Sequence, residues 1–563
     1  MELFEKILAS RGLKGPKRDA FLYPNYDAKH DPFLLPDMAA AVDRLILVRK
    51  KQQKITIYGD YDIDGLTATA VLLDALNSFG FKHVDAFIPN RFVEGYGLTV
   101  DAINRIAAAG ANVIITVDCG SLSEKEIIRA NELGVNVIVT DHHNVADKQP
   151  PAVAVINPKR YLADYPDEYD GYILKSDSKM QNKIYPFLDL AGVGVAFKLV
   201  QAMQQKMAGL PAGQEKWLLD LVALGTVCDV VNLTNENRAN VYWGLKVLAK
   251  TQRPGLKALM DIAGVNSSKI TTKSFGFALG PRMNAAGRLE TAQHSLDLLT
   301  TKNFAEAYDL AQKLDVFNTS RKLEQQKIYT EAVKQAEEFR ADHVLVVSGA
   351  GWSHGIIGIV AAKLMEQFHK PTFVLEEMGD EAKGSARSYG DFSAADAIRY
   401  ADAVITKGGG HKFAAGVTMP TQNIAKFREM VNEYYRTKKM FNQQQLLLAK
   451  EDVSAALADV NEELVALLET MEPFGNANPQ PILMSKDVLV TKMKRMGADS
   501  QHVKLELDDA GIRLEMLAFN APEHYFVEPG ERVTVWYQPD INEWQGRRTV
   551  EGRLLRLEIS SQY

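Results

Sequence analysis

Residues 55–65 read ITIYGDYDIDG: a β-branched and aromatic run suited to a strand buried on both faces leads straight into Asp60, Asp62 and Asp64, three acids at alternate positions. The arrangement recurs twice downstream. VIITV (113–117) runs into Asp118, VNVIVT (135–140) runs into Asp141-His142-His143, and a further strand-like run, VAVI, lies at 153–156. Helical patterns at 66–79 and 121–133 separate these runs by crossover lengths that predict a parallel α/β sheet. Open parallel sheets bind ligands beyond the carboxyl ends of their strands, so the acids should converge there. Crowded carboxylates repel unless protons or cations neutralise them, and oxygen ligands with one or two imidazoles suit Mn²⁺ or Mg²⁺ better than a structural zinc site would. Two such ions about 3.5–4 Å apart, bridged by one carboxylate, would activate a water and stabilise the leaving oxygen of a phosphate ester. Any one of these aspartates could instead be a helix cap after a strand. Taken together with a double histidine they exceed what capping requires.

Residues 190–300 read mostly as helix, including the apolar LVALGTVCDVV (221–231) that carries Asp229. Residues 304–340 contain neither Gly nor Pro and place Leu310, Leu314 and Phe317 on one face, which predicts a connecting helix. At 1.5 Å per residue it would span roughly 50 Å. VLVVSG (344–349), a helix near 356–369 and PTFVLEE (371–377) open a second α/β unit, and the polar KKMFNQQQ (438–445) marks its far boundary. Five short alternating runs after about residue 480 predict a small β-barrel of the OB type. The Tyr-rich stretch 160–186 is read as a surface excursion. Across 563 residues, 65 Lys+Arg against 71 Asp+Glu leave a formal charge of −6, so a nucleic acid would have to be held by local basic patches. Two cysteines exclude a disulfide scaffold and a four-thiolate zinc site and fit a reducing compartment. With no apolar run of about 18 residues and no signal-peptide pattern, a soluble cytoplasmic protein is expected.

The Asp62/Asp64 pair, Asp118, the literal Asp141-His142-His143 and the later Asp229 resemble, in order and in strand context, the four motifs of the DHH phosphoesterase family. The resemblance implies an α/β architecture: a parallel-sheet DHH lobe (1–303), a long connecting helix (304–340), a second α/β, DHH-associated substrate-binding lobe (341–440) and an OB-like single-strand-binding β-barrel (450–563). It further implies that Asp62 and Asp118 hold one metal, that Asp64, Asp118, His142 and Asp229 hold the other with Asp118 as the bridge, and that His143 faces the phosphate. Many members carry a histidine four residues before the first acid of the pair. Here that position is Tyr58, which leaves the first metal one ligand short and Asp60 or water to complete it. Cys119 and Cys228 flank two of these aspartates and are read as small buried neighbours rather than ligands.

GPRMNAAGRLE (280–290), GWSHGIIGIVAAKL (351–364), GSARS (384–388) and KGGGHKFAAG (407–416) resemble the phosphate-facing elements of the same family. They make Arg282, Arg288, Ser385, Arg387, Gly409, Gly410 and His411 the substrate-binding candidates, through close backbone approach and bidentate donors. His354 is read equally as a cap or as a phosphate contact. In the tail, Lys492, Lys494, Arg495, Arg547, Arg548 and Arg553 alternate with Trp536, Tyr537 and Trp544, a composition suited to stacking unpaired bases. The motif strings are of the type found in the single-strand-specific exonuclease branch of the family. That implies 5′ to 3′ degradation of single-stranded DNA to mononucleotides in repair and recombination, with two Mn²⁺ or Mg²⁺ ions. It also implies a monomer off the membrane, partnered by single-strand-binding protein and a helicase. Two other activities stay open at this point: hydrolysis of oligoribonucleotides or cyclic dinucleotides, and an inactive replication scaffold.

Overall fold

The computed structural model describes every residue except 96, 171–172, 176–177, 181–182, 439–448, 498, 545 and 561–563. Most of the expected boundary at 438–445, part of the 160–186 excursion and the side chain of Trp544 therefore lie outside the described residues. β1 (Ile55–Gly59), β2 (Val84–Phe87), β3 (Val113–Val117), β4 (Asn136–Thr140) and β5 (Ala154–Ile156) form an all-parallel sheet in the order β2-β1-β3-β4-β5. β1 and β3 are buried along their whole length, as their Val- and Ile-rich runs demand. β2 is an edge strand only half buried, and its VDAF run is too short and mixed to announce itself in the sequence.

The chain passes from β1 to β2 on one side and returns to β3 on the other, which creates a switch point between β1 and β3. Gly59 pairs with Val117, and Val117 with Thr140, so Asp60, Asp118 and Asp141 leave neighbouring strands at one level. The helix Ile63–Ser78 returns from β1, and the helices Gly192–Lys206 and Leu219–Cys228 pack against it.

The helix Phe304–Glu338 is continuous over 35 residues and leads into a second five-stranded sheet. Only Leu345–Ala350 and Thr372–Met378 pair in parallel there; Glu381–Arg387, Ala414–Pro420 and the edge strand Lys407–Gly410 follow antiparallel. The tail forms a closed five-stranded barrel, since Leu483–Met496 pairs with both His502–Asp509 and Arg532–Trp544. Glu515–Leu517 pair in parallel with Glu551–Arg553, and Arg532–Trp544 pairs with Arg547–Ile559 to complete the circuit.

Trp536 and Tyr537 differ from expectation. Tyr537 is fully buried with its hydroxyl 3.0 Å from Ser485 Oγ, and the nearly buried Trp536 donates through Nε1 to Glu451 at 2.9 Å. Both belong to the barrel wall, so neither offers a free face to a base.

The chain divides into two compact units: 1–31 with 230–246 and 448–563, and 32–229 with 247–447. Among the described residues no helix is long and apolar enough to cross a membrane.

Candidate metal centre

Asp60 follows β1 directly and is buried, while Asp62 caps the helix Ile63–Ser78 by accepting from Gly65 N at 3.1 Å. Asp64, in the first turn, accepts from Gly192 N at 2.7 Å and Val193 N at 2.8 Å, so its carboxylate also caps the helix Gly192–Lys206. Capping and clustering thus coincide, because helix N-termini attract the same carboxylates that a metal would use. Asp118 leaves β3 in the left-handed region at φ 61°, a conformation uncommon for a residue with a Cβ, and its N–H donates to Thr140 O at 3.0 Å. Glycine is required opposite it: a Cβ at Gly192 would lie 2.7–2.9 Å from the Asp118 side chain.

The double histidine is organised by Asp141. This buried carboxylate accepts from Ser121 N (3.0 Å), His142 N (2.7 Å) and His143 N (3.1 Å), and lies 2.9 Å from His143 Nδ1. Burial alone would raise its pKa, but the His143 hydrogen bond and charge hold it below the usual carboxylate range. Asp141 therefore holds the His143 ring and the backbone of both histidines, while the His142 ring bonds the Leu190 backbone. His142 is buried, with Nε2 3.0 Å from Asp118 Oδ1, 3.7 Å from Asp229 Oδ2 and 3.9 Å from Asp64 Oδ2. Burial and the neighbouring His143 bring its pKa down to about 3, leaving a neutral ring able to donate a lone pair.

Asp229 ends the helix Leu219–Cys228 and reaches the same point. Three sets of ligand atoms lie within 4.8 Å of one another: Asp60, Asp62 and Asp118; Asp64, His142 and Asp229; and Asp118, His142 and His143.

Electrostatically the cluster is starved of positive charge. Burial, then Asp62, pushes Asp64 up to about 7; burial, then Asp64, pushes Asp229 up to about 9. Asp118 rises through burial and Asp64, and Asp60 through burial and Asp62. Asp60 Oδ1 and His142 Nε2 are buried without a hydrogen-bond partner among the described residues. Oxygen-rich donors with one imidazole, partly unsatisfied and mutually repelling, fit hard divalent cations.

Tyr58, four residues before Asp62, is fully buried, and its hydroxyl donates to Gly97 O at 2.9 Å. It supports the loop, and Asp60, not Tyr58, lies in one of the three groups of possible ligands. The Cys119 thiol lies 4.0 Å from Tyr58 O and the Cys228 thiol 3.9 Å from Phe275 O. Neither belongs to the three sets.

Of the substrate candidates, Arg288 is drawn among other cations: burial, then the charges of Arg91, Arg321 and Arg387, bring its pKa down to about 9, and it donates to Gly355 O at 2.8 Å. Arg387 donates to Ser385 Oγ at 3.2 Å, beside Gly358, where a Cβ would lie 3.0 Å from that oxygen. Arg91 stacks over the Tyr61 ring at 4.2 Å. Neither Arg91 nor Arg321 sits in a Gly-rich motif, so no local pattern marks them; only the fold brings them beside Arg288.

Arg282 is not drawn into this group, since it pairs with Asp315 at 2.8 Å and donates to Ala278 O. Gly409, Gly410 and His411 lie on the exposed edge strand Lys407–Gly410 and just beyond it, and Ser388 N bonds Phe413 O to tie the two loops together. His354 opens the helix His354–Phe368, where burial, Lys383 and Arg91 lower its pKa.

Comparison with known proteins agrees with this geometry. The model of the DHH family, N-terminal domain, matches residues 54–226, the DHHA1 domain matches 341–437, and the RecJ OB domain matches 451–555. The chain is 33% identical to the single-stranded-DNA-specific exonuclease RecJ of Escherichia coli, over 98% of this chain and 94% of that one. It is 35% identical to the Bacillus subtilis protein of the same name, over 97% of this chain and 66% of that one. The fold is similar to that of Thermus thermophilus RecJ crystallised with Mn²⁺, with a TM-score of 0.81 at 26% identity, covering 99% of this chain and 78% of that one. A second structure, of an exonuclease RecJ bound to manganese, matches with a TM-score of 0.61 at 31% identity, covering 74% of this chain and 97% of that one.

Proposed function

The chain belongs to the RecJ family of single-stranded-DNA-specific exonucleases, and from that premise we propose that it degrades single-stranded DNA 5′ to 3′ to mononucleotides, in DNA repair and recombination. The observation that carries this reading is the set of three overlapping ligand groups joined through Asp118 and His142. Asp60, Asp62 and Asp118 would hold one divalent ion, and Asp64, His142 and Asp229 the other, with Asp118 close enough to His142 to serve both. When bound, Mn²⁺ or Mg²⁺ supplies the charge that acidifies an attacking water and steadies the leaving oxygen.

The chain's own residues do the rest. His143 is fixed through Nδ1 by Asp141, whose hydrogen bond and charge outweigh burial and raise the imidazole pKa. Its other nitrogen is thereby left to face the phosphate. Arg288, Arg387 with Ser385, and Arg91 and Arg321 receive the strand's phosphates, since gathered cations repel one another and a bound anion relieves that repulsion. The protein works as a monomer in the cytoplasm, with single-strand-binding protein and a helicase as its partners.

The test is a time course on strands labelled at either end, DNA and RNA side by side, with Mn²⁺ or Mg²⁺. The expected result is labelled mononucleotide from the 5′-labelled DNA at once and a shortening ladder from the 3′ label. Release from the 3′ label first, internal cleavage or a preference for RNA would overturn the reading.

A further inference from the structure

Ile156 ends β5 at the level where Thr140 ends β4, and Asp141 N donates to Ile156 O at 3.1 Å. The residues that follow β5 therefore leave the sheet at the same edge as Asp60, Asp118 and Asp141. Asn157, fully buried, ties this exit to the double histidine: its Nδ2 donates to Ser121 Oγ and to His143 O, both at 2.9 Å, and its Oδ1 accepts from Lys159 N at 2.9 Å. The backbone thus fixes a lysine at the rim of the metal centre.

No local role accounts for it. Lys159 occupies the N-cap of the short helix Arg160–Asp164 without capping it, since an ammonium has no acceptor to offer. It is half-buried, and burial lowers its pKa against the charges of Asp189, Asp141 and Asp229, which it meets as charge alone, without an ion pair or side-chain hydrogen bond among the described residues. Its own charge reaches both sides of the centre's second ligand group: it adds to burial and His143 in lowering the pKa of His142, and it opposes the rise that burial and Asp64 impose on Asp229. A cation placed there repels divalent ions rather than helping to hold them, so its use is toward an anion that the ions draw in.

We infer that the Lys159 ammonium donates to a non-bridging oxygen of the scissile phosphate, on the side of the centre formed by Asp64, His142 and Asp229. This assignment rests on the two-ion centre and is independent of strand polarity. A charged donor already in place when charge redistributes over the phosphate oxygens acts on turnover more than on strand affinity. Lys159 stands outside every Gly-rich motif, and only the register of β5 against β4 brings it to the site.

The experiment compares the full-length wild type with Lys159→Met, Lys159→Gln and Lys159→Arg. It measures kcat and KM on 5′-labelled single strands with Mn²⁺, calorimetric binding of Mn²⁺ alone, and calorimetric binding of inorganic phosphate to the Mn²⁺-loaded protein. In the Met and Gln variants kcat should fall about a hundredfold with KM changed little, and phosphate binding should weaken about tenfold. Mn²⁺ alone should bind at least as tightly as in the wild type, and Lys159→Arg should recover part of the lost turnover. A wild-type kcat in a variant that melts with the wild type, an unchanged phosphate affinity, or recovery of turnover at higher Mn²⁺ would overturn the assignment. Lys159→Gln keeps a polar group at the half-buried position and carries the comparison if Lys159→Met does not fold. A wild type that leaves single strands intact would overturn the nuclease reading instead, and the phosphate titration would still decide the role of Lys159.

Discussion

Asp118 occupies the most constrained position in the centre, with a left-handed backbone, a full complement of packed neighbours and the Gly192 backbone pressed against its side chain. Replacing it with alanine should lower turnover about a thousandfold, the factor that roughly 4 kcal/mol of lost transition-state stabilisation gives, while leaving the fold in place. Asp62→Ala and His142→Ala should fall in the same range, and near-normal rates in either would contradict the ligand assignment. Gly192→Ala is the sharper probe. Its Cβ would sit 2.7–2.9 Å from Asp118, so it should cost about 1–3 kcal/mol in urea unfolding and displace the bridging carboxylate, with activity falling far more than stability.

The raised acids also set a pH dependence. In the metal-free protein the folded state binds more protons than the unfolded one above about pH 4, so stability should decline as pH rises through about 7 and toward 9. Thermal unfolding after chelation should show that decline, and added Mn²⁺ should flatten it. At this scale the sequence was informative wherever an acid followed a strand. It was silent on Asp141 as the organiser of the histidines, which only hydrogen bonds reveal, and on Arg91 and Arg321, whose partners are distant in the chain.

The helix Phe304–Glu338 was legible because neither Gly nor Pro interrupts it, yet its buried face is not the one that its large side chains suggest. Leu314 is buried, but Leu310 and Phe317 are only half so. The buried stripe is Ala307, Ala311, Leu314, Asn318, Gln325, Ile328, Ala332 and Ala336, in which small residues allow close packing along the helix. Leu314→Ala should therefore cost about 2–4 kcal/mol in denaturant unfolding, as a cavity in a packed seam does, with activity per folded molecule kept. The second sheet was read from Val-rich runs that do not encode strand direction, so its antiparallel majority was not foreseeable. The barrel's alternation is visible in the sequence, but alternation assigns a face only when the register is known, so the same pattern at Trp536 and Tyr537 fits base stacking and barrel wall alike, and the structure places both in the wall.

At the scale of the molecule, the barrel is not an appendage of residues after 450. Phe4, Ile7, Leu8 and Leu22 share one core with Leu483, Val503, Leu505 and Val533, and Arg238 donates to Phe21 O and Met471 O. Chain order hid this, because contacts between residues hundreds apart leave no local pattern. Deleting 450–563 should therefore leave the apolar faces of the first helix and of its neighbours bare, and the truncated chain should aggregate or lose a thermal transition in scanning calorimetry. Removing the barrel thus tests stability as much as strand binding.

Phosphodiester hydrolysis at this centre requires the acids and imidazole to hold two ions rather than protons. Calorimetric titration of Mn²⁺ into chelator-treated protein at neutral pH measures this directly. Two ions per chain, with proton release, and at most one in Asp118→Asn, is the predicted result; no binding, or an unchanged stoichiometry in the variant, would contradict it.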